Sequence, residues 1–151
     1  MLTACGWHLQ GAAHLPAAYS TLHIESDDAY SDFYVELRRS LVASGVRVME
    51  SSENAHATIR VIRENAGQRV AAVSKLNTPE EFQVFYTADY SVSIDGAEVM
   101  PSQHLELTSN FSYDPNLVLA KEREQRTIQR ALARELANTV MRRLAVSAPT
   151  K

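Results

Sequence analysis

The chain has 151 residues, of which 45% are hydrophobic and 22% charged, and its formal net charge is −3 at pH 7. This length favours one domain with a core of its own, and the sequence contains no apolar run of about 18 residues that would suggest a transmembrane helix. The small acidic excess argues against a general nucleic-acid-binding protein, because such proteins carry a clear basic excess.

The N-terminal residues contain the only cysteine of the chain. Cys5 follows Leu2–Ala4, an apolar residue and two small ones, and precedes Gly6. This run resembles a bacterial lipobox, in which a peptidase cuts before the cysteine and the thiol is acylated. The alternative is a stray thiol, and a lone cysteine forms no internal disulfide in either case. We predict lipidation at Cys5, a lipobox and tether over residues 1–18, a single α/β sandwich domain over 19–146 and a flexible tail over 147–151.

A short strand and an amphipathic helix are the first predicted elements. Thr21–Glu25 alternates apolar and polar residues, as a half-buried strand does. Ser26-Asp27-Asp28 is typical of a helix N-cap followed by acidic residues in the first turn. These signals predict a helix over residues 28–43 that stops at Gly45. Its expected apolar face consists of Tyr30, Phe33, Tyr34, Leu37 and Leu41.

The middle of the chain is dominated by predicted strands. Residues 46–48 form a short extended piece, and residues 50–56 read as a loop. Strands are predicted over 57–63 and 69–76, with Asn65-Ala66-Gly67 as the turn of a hairpin between them. The clearest strand is predicted over 82–95, where apolar residues occupy every even position and polar residues, with Phe85 as the one exception, every odd position.

The last predicted elements are a strand and a long helix. Asp95-Gly96 forms a turn, residues 104–113 return as a strand, and a helix follows over residues 117–144. The resulting order is β-α-β-β-β-β-α. The simplest packing is an α+β fold in which two helices lie on one face of a four- to five-stranded mixed β-sheet and leave the other face polar.

The sequence shows no constellation of catalytic or metal-binding residues. The five histidines have no metal-ligand spacing, and there is no phosphate-binding glycine loop or nucleophile elbow. We therefore predict no catalytic residues, no metal, no cofactor and no enzymatic activity. A hydrolase with a site that the sequence does not reveal remains an alternative.

Three segments resemble one protein family in the same order. They are Cys5–Gly11, with the sequence CGWHLQG, then Phe111–Gln125, with FSYDPNLVLAKEREQ, and Met141–Leu144, with MRRL. Together with the order of predicted strands and helices, they are similar to the LPS-assembly lipoproteins of the LptE (RlpB) family. The resemblance covers nearly the whole chain.

This resemblance implies a function. Family members are anchored by the acylated cysteine in the inner leaflet of the Gram-negative outer membrane and plug the lumen of the β-barrel protein LptD. Together the two proteins insert lipopolysaccharide into the outer leaflet. A polar sheet face fits this expectation, because it suits a polar barrel lumen and not lipid. A generic periplasmic lipoprotein that scaffolds another envelope protein without binding lipopolysaccharide is the alternative.

Lipopolysaccharide carries phosphates, so its binding residues should be cationic. Lys121 matches the family's Ala-Lys motif near a helix N-terminus, where the helix dipole disfavours a cation. Its alternative role is a surface pair with Glu122, Glu124 or Gln125. Lys75 lies where the family tends to carry a basic residue, and its alternative is a solvated edge lysine. Arg60, Arg63 and Arg69 would extend this patch across the predicted hairpin.

Overall fold

The computed structural model describes residues 14–112 and 118–147. Short 3-10 turns lie at Ala17–Tyr19 and Ser52–Asn54. The strands are β1 (Thr21–Glu25), β2 (Arg47–Met49), β3 (Ala57–Val73), β4 (Pro79–Ile94) and β5 (Ala97–Ser112). The helices are α1 (Asp32–Ala43) and α2 (Val118–Ser147). The chain order is β-α-β-β-β-β-α, as predicted.

The five strands form one mixed sheet in the order β2-β1-β3-β4-β5. β1 is parallel to β2 and β3, while β4 is antiparallel to both β3 and β5. The α+β class and the two-helix, five-stranded architecture are therefore confirmed. Because β1 and β2 are short, the second halves of β3 and β5 and the first half of the antiparallel strand β4 project beyond them.

The core lies between the helices and the even-numbered face of β4. The predicted alternation is confirmed, since Val84, Tyr86, Ala88, Tyr90 and Val92 are all buried. The predicted helix residues share one core cluster with this face: Phe33, Leu37, Leu41, Leu132, Leu136 and Val140 are buried, and Ile128 is partly buried against them. The hydrophobic pattern of the sequence thus positions both helices on one side of the sheet.

The start of α1 differs from the prediction. The helix begins at Asp32, with Ser31 as its N-cap, because the Ser31 hydroxyl accepts a hydrogen bond from the Tyr34 N–H at 3.1 Å. The predicted cap, Ser26, and Asp28 form side chain–backbone bonds within a turn over residues 26–30. Tyr30 consequently lies before the helix and is exposed, so its assignment to the apolar face was wrong.

The predicted hairpin at Asn65–Gly67 was also wrong. β3 runs through this segment, and Asn65 and Gly67 pair with Thr87 and Phe85 of β4. The actual turn covers residues 74–78 and includes the last three residues of the predicted second strand, which ends at Val73 as part of β3. The absence of a side chain at Gly67 leaves room for the Phe85 ring, because a Cβ at this position would lie 2.9 Å from Cζ of that ring.

Other boundaries are closer to the prediction. The extended piece after α1 is the edge strand β2. The Asp95-Gly96 turn is present, and both residues have positive φ, which matches the two-residue hairpin turns that suit twisted strands. β5 begins directly after this turn at Ala97, earlier than predicted, and α2 continues to Ser147.

Candidate functional site

The strand register defines two opposite ends of the molecule. The turn between β3 and β4, the end of β5 and the beginning of α2 lie together at what we call the hairpin end. The beginning of β1, the Asp95-Gly96 turn and the end of α2 lie at the tether end, where the Tyr19 hydroxyl is 2.9 Å from the Ser147 hydroxyl. Lys75 and Lys121 both belong to the hairpin end.

Lys121 is held in place by two neighbours. Its ammonium nitrogen lies 2.8 Å from a carboxylate oxygen of Glu124 and 5.7 Å from the centre of the Phe111 ring. Only 18% of its side chain is exposed. The pair with Glu124 is one of the predicted alternatives, and both contacts offset the unfavourable helix dipole at this position. Lys121 therefore presents a positioned cation above the end of β5.

Lys75 lies in the turn between β3 and β4. The Ser74 hydroxyl accepts from the N–H groups of Leu76 and Thr78, and Ser74 N–H donates to the Thr78 carbonyl at 2.8 Å. Asn77 has φ of 63°, which asparagine tolerates better than most residues. These bonds give the turn a defined shape. Lys75 is exposed on it, without an ion pair to any described residue, beside Leu76, which is 89% exposed.

The three candidate arginines lie on the polar face of the sheet, opposite the helices. Each arginine forms an ion pair with a carboxylate of the same sheet. These pairs are Arg60 with Glu25 at 3.0 Å, Arg63 with Asp89 at 3.3 Å, and Arg69 with Glu106 at 3.3 Å. His104 also contacts Asp89, at 2.6 Å. The structure thus separates these arginines from Lys121, and their charges are locally compensated.

A stacked arrangement at the centre of this polar face involves Phe85. The ring lies against Gly67, and the guanidinium carbon of Arg69 is 5.5 Å from the ring centre. Arg69 also donates to the Gln83 side chain at 2.8 Å. A glycine in a strand gives little packing of its own, and an aromatic residue on the neighbouring strand covers it. The apolar exception in the alternating pattern of β4 is therefore a structural contact.

A polar cluster that sequence reasoning missed joins α1 to the sheet. Glu64 accepts hydrogen bonds from the Ser31 hydroxyl at 2.8 Å and the Tyr86 hydroxyl at 2.6 Å. The Tyr86 oxygen in turn accepts from Phe33 N–H at 3.2 Å. Burial raises the pKa of Glu64 despite the two hydrogen bonds, and burial together with Glu64 raises the pKa of Tyr86. No sequence signal links these residues, because Glu64 lies between the predicted strand over 57–63 and the predicted turn that follows it.

The structure contains two shallow cavities of note and no grouped metal ligands among its described residues. One, of about 520 Å³, lies on the outer face of α1 beside Val35 and Val42. The other, of about 310 Å³, lies where the turn before α1 meets Glu64. Within residues 14–112 and 118–147, no helix is long and apolar enough to cross a membrane. Cys5 lies outside the described residues.

Solved structures share this fold. Rare lipoprotein B from Shewanella oneidensis matches with a TM-score of 0.72 and 19% identity, over 83% of this chain and 93% of that chain. An uncharacterised lipoprotein B from Nitrosomonas europaea matches with a TM-score of 0.77 and 19% identity, over 93% of this chain and 91% of that chain. At such identities, these matches establish the fold alone.

Sequence comparisons identify the family. The LptE lipopolysaccharide-assembly family model matches residues 19–144. The LPS-assembly lipoprotein LptE of Pectobacterium atrosepticum is 25% identical over 146 residues, which cover 95% of this chain and 79% of that protein. The corresponding protein of Photorhabdus laumondii is 24% identical over 140 residues, covering 93% and 76%. The chain belongs to the LptE family, and the resemblance in its sequence is confirmed.

Proposed function

We propose that this chain is a non-catalytic lipoprotein subunit that plugs the LptD β-barrel and binds lipopolysaccharide. In this proposal Cys5 carries the lipid anchor in the periplasmic leaflet of the outer membrane, and the domain lies inside the barrel lumen. The family membership and the lipoprotein names of the relatives support the assembly role. The identities of the partner, LptD, and of the ligand, lipopolysaccharide, are inferred from the family resemblance.

The polar sheet face is the observation that best supports the plug. A surface of serine, threonine and paired charges cannot face lipid without leaving polar groups unsatisfied, but it suits the polar interior of a barrel. Because the arginines Arg60, Arg63 and Arg69 are already paired with carboxylates, this face carries little uncompensated charge. We assign it to contact with the barrel wall and keep these arginines only as secondary candidates for phosphate binding.

The hairpin end is the better candidate for lipopolysaccharide. Lys75 is exposed on an ordered turn without an ion pair to any described residue, and Lys121, although paired with Glu124, is held against the Phe111 ring at the same end. Lysine binds phosphate groups through its ammonium, which is a compact positive charge. The predicted tether leaves the opposite end of the domain, so an anchored molecule would direct these lysines away from the attached membrane leaflet.

Charge reversal tests the binding site. The Lys75→Asp/Lys121→Asp variant should bind lipopolysaccharide at least about tenfold more weakly at low salt, where exposed charges interact most strongly. The matched control is Arg38→Asp/Arg47→Asp, which makes the same net charge change at two exposed arginines without ion pairs to described residues. Circular dichroism checks that both variants are folded. Unchanged binding by the lysine variant would remove both residues from the site.

Co-expression with LptD tests the plug. A photoreactive residue at Ser91, on the polar sheet face, should cross-link to the barrel in cells. The lysine variant should still co-purify with LptD, because its changes lie at the hairpin end. A chain that purifies without any barrel would favour the generic periplasmic scaffold instead.

A further inference from the structure

The helix layer is incomplete over the hairpin end of the sheet. α1 and α2 run parallel, since Asp32 pairs with Arg130 and Glu36 with Arg134. α1 therefore begins level with Arg130. The part of α2 before this point, residues 118–129, has no helix beside it in the described part of the chain and extends about 18 Å at roughly 1.5 Å per residue.

The uncovered sheet surface belongs to β3. Ala66 and Gln68 are exposed, although their direct partners on β4, Tyr86 and Val84, are buried. Directly opposite residues of antiparallel strands share a face, so Ala66, Gln68 and Val70 lie on the helix side, where α2 covers β4 and β5. Val70 is 49% exposed. We call Ala66, Gln68 and Val70 the open shelf.

A stripe of arginines on the side of α2 that faces α1 extends toward the hairpin end. Arg123, Arg126, Arg130 and Arg134 are spaced three, four and four residues apart and therefore share one side of the helix. Arg130 and Arg134 pair with the acidic residues of α1 at 3.8 and 3.4 Å. Arg123 and Arg126 continue the stripe beyond the start of α1, are exposed, and form no ion pair with any described residue. Both guanidinium groups are therefore accessible to an anion from outside the described fold.

We propose that Arg123 and Arg126 bind the phosphate groups of lipopolysaccharide while an acyl chain lies on the open shelf. This inference rests on the proposed function and extends its site, because it adds two arginines and a partly apolar floor to Lys75 and Lys121. The charge of the stripe complements phosphate, and arginine binds phosphate through two parallel hydrogen bonds. Val70, with Val73 and Leu76 exposed further along the hairpin, supplies apolar surface for a chain.

The first test measures binding of the full-length chain to purified rough lipopolysaccharide. The Arg123→Glu/Arg126→Glu variant should bind roughly tenfold or more weakly, and its affinity should depend less on salt than that of the wild type. Arg38→Glu/Arg47→Glu is the control with the same charge change. Equal loss in the two variants would show an unspecific effect of net charge and overturn the proposal.

The second test separates the phosphate contacts from the shelf. Dephosphorylated lipopolysaccharide should bind the wild type and the arginine variant equally weakly. Val70→Asn, which removes apolar surface without adding charge, should weaken binding of intact lipopolysaccharide but not of its deacylated sugar phosphate. Val42→Asn, at a similarly exposed valine on the outer face of α1, is the control and should bind normally. A Val70→Asn variant that binds normally would remove the shelf from the site.

The outcomes distinguish this proposal from the proposed function. If the arginine variant binds normally while the Lys75→Asp/Lys121→Asp variant does not, only the stripe is excluded. If the wild-type chain binds no lipopolysaccharide, the ligand of the proposed function itself is wrong. If an acidic amphipathic peptide binds the open shelf and lipopolysaccharide does not displace it, the surface binds a protein segment and the proposal fails.

Discussion

Replacing Tyr86 with phenylalanine removes the hydroxyl that joins the start of α1 to Glu64 of β3. This hydroxyl donates to Glu64 at 2.6 Å and accepts from Phe33 N–H at 3.2 Å. A hydrogen bond to a charged group contributes about 1.5–3 kcal/mol, and a buried N–H left without a partner costs about 1–3 kcal/mol. Because Glu64 is only half-buried, we expect the free energy of unfolding to fall by about 2–4 kcal/mol near neutral pH.

This loss should depend on pH. Burial raises the pKa of Glu64, and Asp28 and Asp32 raise it further, whereas the bonds from Tyr86 and Ser31 lower it. A carboxyl with a raised pKa stabilises the fold below its unfolded-state pKa, and this stabilisation is lost as pH rises through its folded-state pKa. Removing the Tyr86 hydroxyl should raise the pKa of Glu64 further, because one of the two hydrogen bonds that lower it is lost. The cost of Tyr86→Phe should therefore grow as the pH rises.

Urea unfolding followed by circular dichroism measures this effect at about pH 4 and about pH 7.5. Glu64→Gln supplies the control background, because a glutamine cannot ionise and Tyr86→Phe should then have a cost that does not change with pH. A Tyr86→Phe variant within about 0.5 kcal/mol of the wild type at both pH values would refute the role assigned to this cluster.

Three further variants test the fold and the anchor. Leu136→Ala should lower the free energy of unfolding by about 2–5 kcal/mol in urea unfolding, because Leu136 is buried in the core; a neutral result would contradict the packing of α2. Gly67→Val should cost about 1–3 kcal/mol by displacing the Phe85 ring, and combining it with Phe85→Ala should recover part of this loss. Cys5→Ala should release a folded domain from the membrane fraction, whereas native protein should show an acyl adduct at Cys5 by mass spectrometry.

Hydrophobic periodicity made most of the fold predictable. The alternation in β4 and the four-residue repeat in α2 each identify one buried face, and the structure buries both faces. The predictions were wrong where the local amino-acid composition is typical of a different structure. Asn65-Ala66-Gly67 has the composition of a turn, but each residue pairs with β4. Ser26 resembles an N-cap, while the actual cap, Ser31, is defined by contacts with the helix and with Glu64.

The candidate site was predictable only in part. Lys121 and its partner Glu124 lie three residues apart on one helix, so sequence spacing was enough to suggest the pair. Strand register, which the sequence does not reveal, determines that Lys121 contacts Phe111. It also determines that Lys75 and Lys121 lie at the same end of the molecule. The arginine stripe is visible in the sequence, but its meaning depends on where α1 begins, because α1 neutralises only Arg130 and Arg134.

Purification of the tagged chain from outer membranes of cells that also produce LptD tests the barrel partner and the ligand in one measurement. We expect a stable one-to-one complex with LptD that retains lipopolysaccharide, and loss of the lipopolysaccharide but not of LptD in the Lys75→Asp/Lys121→Asp variant. Recovery of the chain without LptD would refute the plug, and a complex whose lipopolysaccharide content is unaffected by the two substitutions would refute the binding site.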